Sequence, residues 1–361
     1  MKSTALSQLA PVLLSFLARG VVARHAVDLS VQAGYHVIHS YPGLTPPESL
    51  LTLTEQGKVG GIILFGENVD SNVSNVIASF QSAYAKSPSY SGKPLLIMTD
   101  QEGGEVRRIP GGPDLSAKEV GESADPSSAA TEAGQEAAST LRGSKVNCNL
   151  APVLDVFRQE GNFIDGAQRS FGNTSALVSE CATAWITAQQ AAKVIATAKH
   201  FPGLGDAAAG QDTDAEPVTI NLTLSQLRSV DEAPYVKAIA VGLDMVMASW
   251  ALYPALDAKN PSGLSESWIQ GELRKRLGFT GVTITDAIEA GALTAFGTDE
   301  NRAVLASKAG MDLILASARN ATQGEGIVNA LVAALKDGKL AQDSFNAGTQ
   351  RILALRGKIP V

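Results

Sequence analysis

Ionisable residues recur at the ends of apolar runs in this chain. Asp100 closes LLIMTD, Asp155 closes NLAPVLD, Lys199 and His200 close VIATAKH, and Asp286 closes GVTITD. Ser249 and Trp250 follow DMVMA in the same way. Three carboxylates, a lysine and a histidine of this kind can hold hydroxyl groups, move protons or attack an electrophilic carbon. Singly, each is equally well explained as a structural hydrogen bond at a strand end; the regularity of all of them is what points to chemistry. After Lys199-His200 the chain runs to Pro217 through Gly, Ala and Asp, with almost no residue for a core. This stretch reads as one wall of an active site.

The elements that would position these groups have a simple order. Short, continuous apolar runs span residues 35–40, 60–66, 95–100, 147–156, 194–201, 244–249, 281–286 and 312–317. Continuous rather than alternating apolar character marks strands buried on both faces. Helix-like segments separate them, at 46–56, 72–85, 125–141, 175–193, 223–241, 265–277, 300–309 and 324–335, and a last one covers 342–355. Asp125-Pro126 supplies an N-cap followed by proline at the first helical position. Eight strand–helix repeats predict an α/β fold, a single-domain (β/α)8 barrel of the TIM type, with a doubly wound sheet as the alternative. In such a barrel the C-terminal ends of the strands share one rim, so the residues named above converge.

Composition narrows the partners. The chain has 361 residues, 45% of them hydrophobic, and a formal net charge of -7. With a pI near 5.2, nucleic acid and anionic membranes are poor partners. No run is long enough to span a bilayer. Cys148 and Cys181 read as buried free thiols, with pairing the alternative. No Cys/His cluster has metal spacing, and no cofactor is expected. Residues 1–23 resemble a secretory signal: Lys2, an apolar core at 9–18 and the small-residue site Val21-Val22-Ala23. Residues 24–361 would then form the barrel, exported as a monomer or weak homodimer. A cytoplasmic protein with an amphipathic N-terminal helix is the alternative.

The segments VGGIILFGENV, LLIMTDQEGGEVRRIPGGP, NLAPVLDV, RSFGN, ATAKHFPGLG and GVTITDAIEAGAL resemble glycoside hydrolase family 3. The similarity is to its single-barrel branch, typified by β-N-acetylhexosaminidases, and runs from about residue 35 to the C-terminus. The resemblance implies that Asp286 is the nucleophile of a retaining exo-β-glycosidase, forming a covalent glycosyl-aspartate. It also implies that Asp100, Arg108, Arg169, Lys199 and His200 hold the terminal sugar. A carboxylate with cationic neighbours matches adjacent sugar hydroxyls with paired donors and acceptors.

Several departures stand out. In the branch, the loop after KHFPG runs close to GHGD…DSH, and its last histidine is the general acid/base. Here Leu204 replaces the first histidine, and Asp212-Thr213-Asp214 stands where Asp-Ser-His is expected. His25, His36 and His39 precede the barrel's second strand and belong to no such loop. One reading gives proton transfer to Asp214, with Asp212 or Glu216 as substitutes, because close carboxylates raise one another's pKa. A carboxylate base repels phosphate, so this reading expects hydrolysis rather than phosphorolysis. The other reading is a carbohydrate-binding barrel without full turnover. Glu105 replaces a basic residue after DQEGG, and Trp250 replaces a histidine in SWALYP. Trp250 either stacks on a sugar ring or packs beneath the rim. Both changes leave a β-glucosidase or another exo-β-glycosidase open beside an N-acetylhexosaminidase.

Overall fold

The computed structural model describes residues 28–360. The expected signal segment, residues 1–23, lies outside them. Eight parallel strands close into a barrel: β1 (Val37–His39), β2 (Gly61–Ile63), β3 (Leu96–Thr99), β4 (Cys148–Asn149), β5 (Ile195–Phe201), β6 (Met245–Ala248), β7 (Val282–Ala287) and β8 (Leu313–Leu315). Each strand pairs with its neighbours in chain order, and β8 returns to β1 through Val37–Ile314 and Ile38–Leu315. The single barrel expected from the eight repeats is what forms.

Alternation within each strand explains the continuous apolar runs. Ile38, Ile63, Met98, Cys148, Met247 and Ile284 fill the barrel interior. Their neighbours Val37, Ile62, Ile97, Ala196, Val246 and Ile314 face the surrounding helices. With period-two side chains and both faces covered, every position is apolar. The helices present matching stripes; in Val73–Ala85 the buried residues are Val73, Val76, Ile77, Phe80, Ala83 and Tyr84. Pro126–Gly143 begins as expected, with Asp125 accepting from the Ser128 N–H at 3.1 Å. Cys148 and Cys181 are both buried free thiols.

Two expectations need correction. The run 147–156 is a regular strand only over Cys148–Asn149, because Pro152 has no N–H for the ladder. Pairing with β5 resumes beyond it, where the Leu154 N–H donates to the Lys199 carbonyl at 2.7 Å. The segment 223–241 is not one helix. Leu224–Gln226 passes into a π-helical turn, Leu227–Asp231, before an α-helix over Ala233–Ala240. Pro234 forces this break, since its ring and missing N–H cannot continue the preceding α-helical ladder. Ser267–Arg276 likewise winds with π-helical geometry.

Candidate active site

The strand ends of β2, β3, β5, β7 and β8 open into a cavity of about 550 Å³. Asp100, Arg108, Arg169, Lys199, His200, Asp212, Asp214 and Asp286 all line it. The barrel therefore gathers residues up to 186 positions apart, from 100 to 286, on one rim.

The floor is built around a lysine. Lys199, at the end of β5, has a side chain only 3% exposed and places Nζ 2.7 Å from both Asp100 Oδ1 and Glu102 Oε1. Arg169 clamps the same Glu102 with two parallel bonds of 2.8 Å, from Nε and Nη2. Burial alone would raise the Glu102 pKa. Arg169 and Lys199 outweigh it and hold the carboxyl well below the usual range. Burial likewise works against the Lys199 charge, and Asp100 and Glu102 overcome it, so its pKa rises. Both cations stay charged, and both line the cavity. The motif DQEGG by itself assigns Glu102 no role; its place between two cations is a tertiary fact.

Arg108 is delivered by a small hairpin, Gln101–Gly103 against Val106–Arg107. Gly103 and Gly104 turn it, at φ +106° and +55°, where glycine avoids the steric cost of a left-handed backbone. The Arg108 N–H then donates to the Asp100 carbonyl at 3.2 Å. Its Nε is buried without a partner among the described residues.

His200 follows Lys199 through a cis peptide. Its Nδ1 lies 2.7 Å from Asp155 Oδ2, and Asp155 Oδ1 accepts from the backbone N–H groups of His200 and Leu204 at 3.2 and 2.7 Å. Asp155 is thus buried behind the cavity, where it orients the imidazole and turns the following loop. The other described histidines are structural. His36 bonds the Asp312 carbonyl and Thr349, and His39 the Lys58 carbonyl.

Asp286 ends β7 facing the cavity, with Oδ1 accepting from the Ala287 N–H at 2.8 Å. The loop carrying Asp212 and Asp214 docks beside it. The N–H groups of Gly291 and Ala292 donate to the Asp214 and Thr213 carbonyls at 2.7 and 3.1 Å. Asp212 Oδ1 accepts from the Asp214 N–H at 2.9 Å and tightens the turn. Asp214 borders solvent as well as the cavity. Its pKa is pushed up to about 7, first by loss of water around the carboxyl, then by the charges of Asp286 and Asp212. His200 and Arg169 pull the other way without cancelling this.

Gly291 is needed for this docking. A Cβ there would stand 2.0 Å from the Ala215 carbonyl oxygen. Gly291→Ala is therefore expected to push the loop from β7 and lower kcat about 10- to 100-fold, with little change in KM. Steady-state kinetics on an aryl glycoside, the substrate class that the family resemblance implies, check this; a fall confined to KM would contradict it.

Trp250 is not on the wall. It is 1% exposed, donates from Nε1 to the Ala287 carbonyl at 2.9 Å and packs with Leu264, Ile288 and Leu293. Of its two readings, packing beneath the rim is the observed one. Its ring braces the strand that carries Asp286, so it cannot stack on a ligand. Leu204 does line the cavity, as an apolar, 2% exposed residue.

Comparison with known proteins fits this geometry. The description "Glycosyl hydrolase family 3 N terminal domain" matches residues 40–355. The chain belongs to glycosyl hydrolase family 3. It is accordingly a glycoside hydrolase. A protein of Arthroderma benhamiae named "Uncharacterized secreted glycosyl hydrolase" is 55% identical, over 96% of this chain and 99% of its own. A beta-hexosaminidase of Nitrosomonas eutropha is 33% identical, over 73% and 77%. The structure of a family 3 beta-N-acetylglucosaminidase from Paenibacillus superposes with a TM-score of 0.86 at 35% identity. It matches 92% of this chain, which spans 63% of that protein's length. Among the described residues, no helix is long and apolar enough to cross a membrane. No His, Cys, Asp and Glu group there could hold a metal ion.

Proposed function

We propose that the chain removes a terminal sugar from the non-reducing end of β-glycosides, with retention of configuration. The single supporting observation is the placing of two carboxylates, Asp286 and Asp214, on one cavity with unlike surroundings. Asp286 is the nucleophile and forms a covalent glycosyl-aspartate. Asp214, whose pKa of about 7 leaves about half of it protonated at neutral pH, gives its proton to the leaving oxygen and then takes one from water. Asp100, Arg108, Lys199 and His200 hold the hydroxyls of the terminal ring, and Arg169 fixes Glu102 behind them. The cavity ends in a packed floor, which suits a single ring entering first.

The beta-hexosaminidase and beta-N-acetylglucosaminidase relatives favour an N-acetylhexosamine as that ring. The name of the Arthroderma relative favours a secreted barrel over residues 24–361. A second reading follows from one distance: the Asp155–His200 contact of 2.7 Å makes an oriented imidazole whose Nε2 has no partner among the described residues. His200 would then be the proton donor and Asp214 an electrostatic neighbour.

The test is a panel of aryl β-glycosides with the wild-type chain, following the anomer first released by NMR. The β-N-acetylglucosaminide is expected to be the best substrate, giving the β-anomer. Added phosphate is expected to yield no sugar 1-phosphate, because Asp212 and Asp214 repel the anion. Release of the α-anomer would overturn the retaining mechanism, and no turnover of any glycoside would overturn the reading itself.

A further inference from the structure

We infer that Arg319, laid over Phe65 and locked by Glu67, is a platform for the sugar on the leaving-group side of the scissile bond. This rests on the glycosidase reading and adds the part of the substrate that the deep cavity does not enclose. Arg319 and Phe65 both line the cavity, at the ends of β8 and β2. The guanidinium lies 4.4 Å from the Phe65 ring centroid, and its Nε contacts Glu67 Oε1 at 2.9 Å. Phe65 in turn packs on the apolar barrel interior. The Arg319 N–H donates to Ser40 Oγ at 2.8 Å, so the residue bridges the short end of β1.

Two features separate this from an ordinary surface arginine. Its backbone is left-handed, at φ +56°, a conformation that a long side chain keeps only when its surroundings fix it. It is also held on three sides yet has a side chain 52% exposed, against 3% for Lys199 on the floor. One guanidinium face covers Phe65; the other, with the Nη edge, is open at the mouth. A planar group fixed in place loses little entropy on binding, and can receive a pyranose face while its edge donates to hydroxyls.

Depth decides which part of a substrate it meets. The terminal ring lies on the floor beside Asp286, so what reaches Arg319 is the next residue outward. Charge decides its class. Glu67 already offsets the arginine, and six acidic side chains face four cations across the cavity lining. An anionic aglycone is disfavoured, and a neutral β-linked saccharide fits.

Binding to the full chain carrying Asp286→Ala, measured by calorimetry, tests this without turnover. The probes are di-N-acetylchitobiose with N-acetylglucosamine, and cellobiose with glucose. The disaccharide of one pair is expected to bind more tightly than its monosaccharide. Adding Arg319→Gly, a residue at ease in the left-handed region, is expected to weaken the disaccharide about tenfold and the monosaccharide distinctly less. Glu67→Gln, which leaves the guanidinium unlocked, is expected to give a smaller loss of the same kind. Equal losses on both members of a pair, or none on the disaccharide, would overturn the platform. No binding of either pair, together with no turnover by the wild type, would instead sink the glycosidase reading and the platform with it.

Discussion

Asp286→Ala is expected to lower kcat on an aryl β-glycoside by about 10⁴-fold or more, because the covalent route closes. Asp286 ends β7, lines the cavity and has its carboxyl oriented by the Ala287 N–H at 2.8 Å. Among the described residues, the other carboxylates on the floor are committed: Asp100 to Lys199, and Glu102 to Lys199 and Arg169. Glu289, which also lines the cavity, is bonded by Ser317 and Gln323. Removing Asp286 also removes the charge that stabilises the oxocarbenium-like transition state. Azide would then enter from the vacated face and give an α-glycosyl azide, detectable by NMR. A variant retaining more than about a hundredth of wild-type kcat would place the nucleophile elsewhere.

The second large effect belongs to Asp214→Asn, and its size is expected to follow the leaving group. On a poor one, such as an alkyl glycoside, loss of the acid costs about 10²- to 10⁴-fold. On dinitrophenyl glycosides the first step needs no proton, and azide should restore turnover by trapping the glycosyl-enzyme as the β-azide. The pH profile gives an independent check. Asp214 must hold its proton to act as acid, so the alkaline limb of kcat/KM is expected near pH 7 and to vanish in the variant. If His200 donates the proton instead, that limb and the leaving-group trend survive Asp214→Asn.

Stability should move in the opposite direction to activity. The folded-state pKa of Asp214, about 7, lies above the ordinary aspartate value of 3.8. Between those values the folded chain keeps a proton that the unfolded chain has released, so stability falls as pH rises through this window. Above pH 7 the carboxylate is charged in both states and the penalty is complete. Asp214 is an exposed residue, so solvent screening discounts the penalty, and Asp214→Asn is expected to raise Tm by only about 1 °C at pH 8 and hardly at all at pH 4.

Much of this was legible in the chain. Eight continuous apolar runs specify strands buried on both faces, and ionisable residues at their ends follow from a rim that collects them. Because strand ends are local features, Asp100, Lys199, His200 and Asp286 could be placed on one rim from sequence, and the cavity contains them all. Position along a strand does not, however, fix which way a side chain points. Asp155 and Trp250 obey the same end rule, yet one turns back to orient His200 and the other packs under Ala287. Glu102 gained its role only when Arg169, 67 residues away, met Lys199 on it. The substituted loop shows the same division. The family resemblance sets Asp212-Thr213-Asp214 where Asp-Ser-His is expected. Only the tertiary structure set the Asp214 carboxyl beside Asp286 and tied its carbonyl to Gly291 at 2.7 Å, because neighbouring charges and lost water are properties of the folded chain alone.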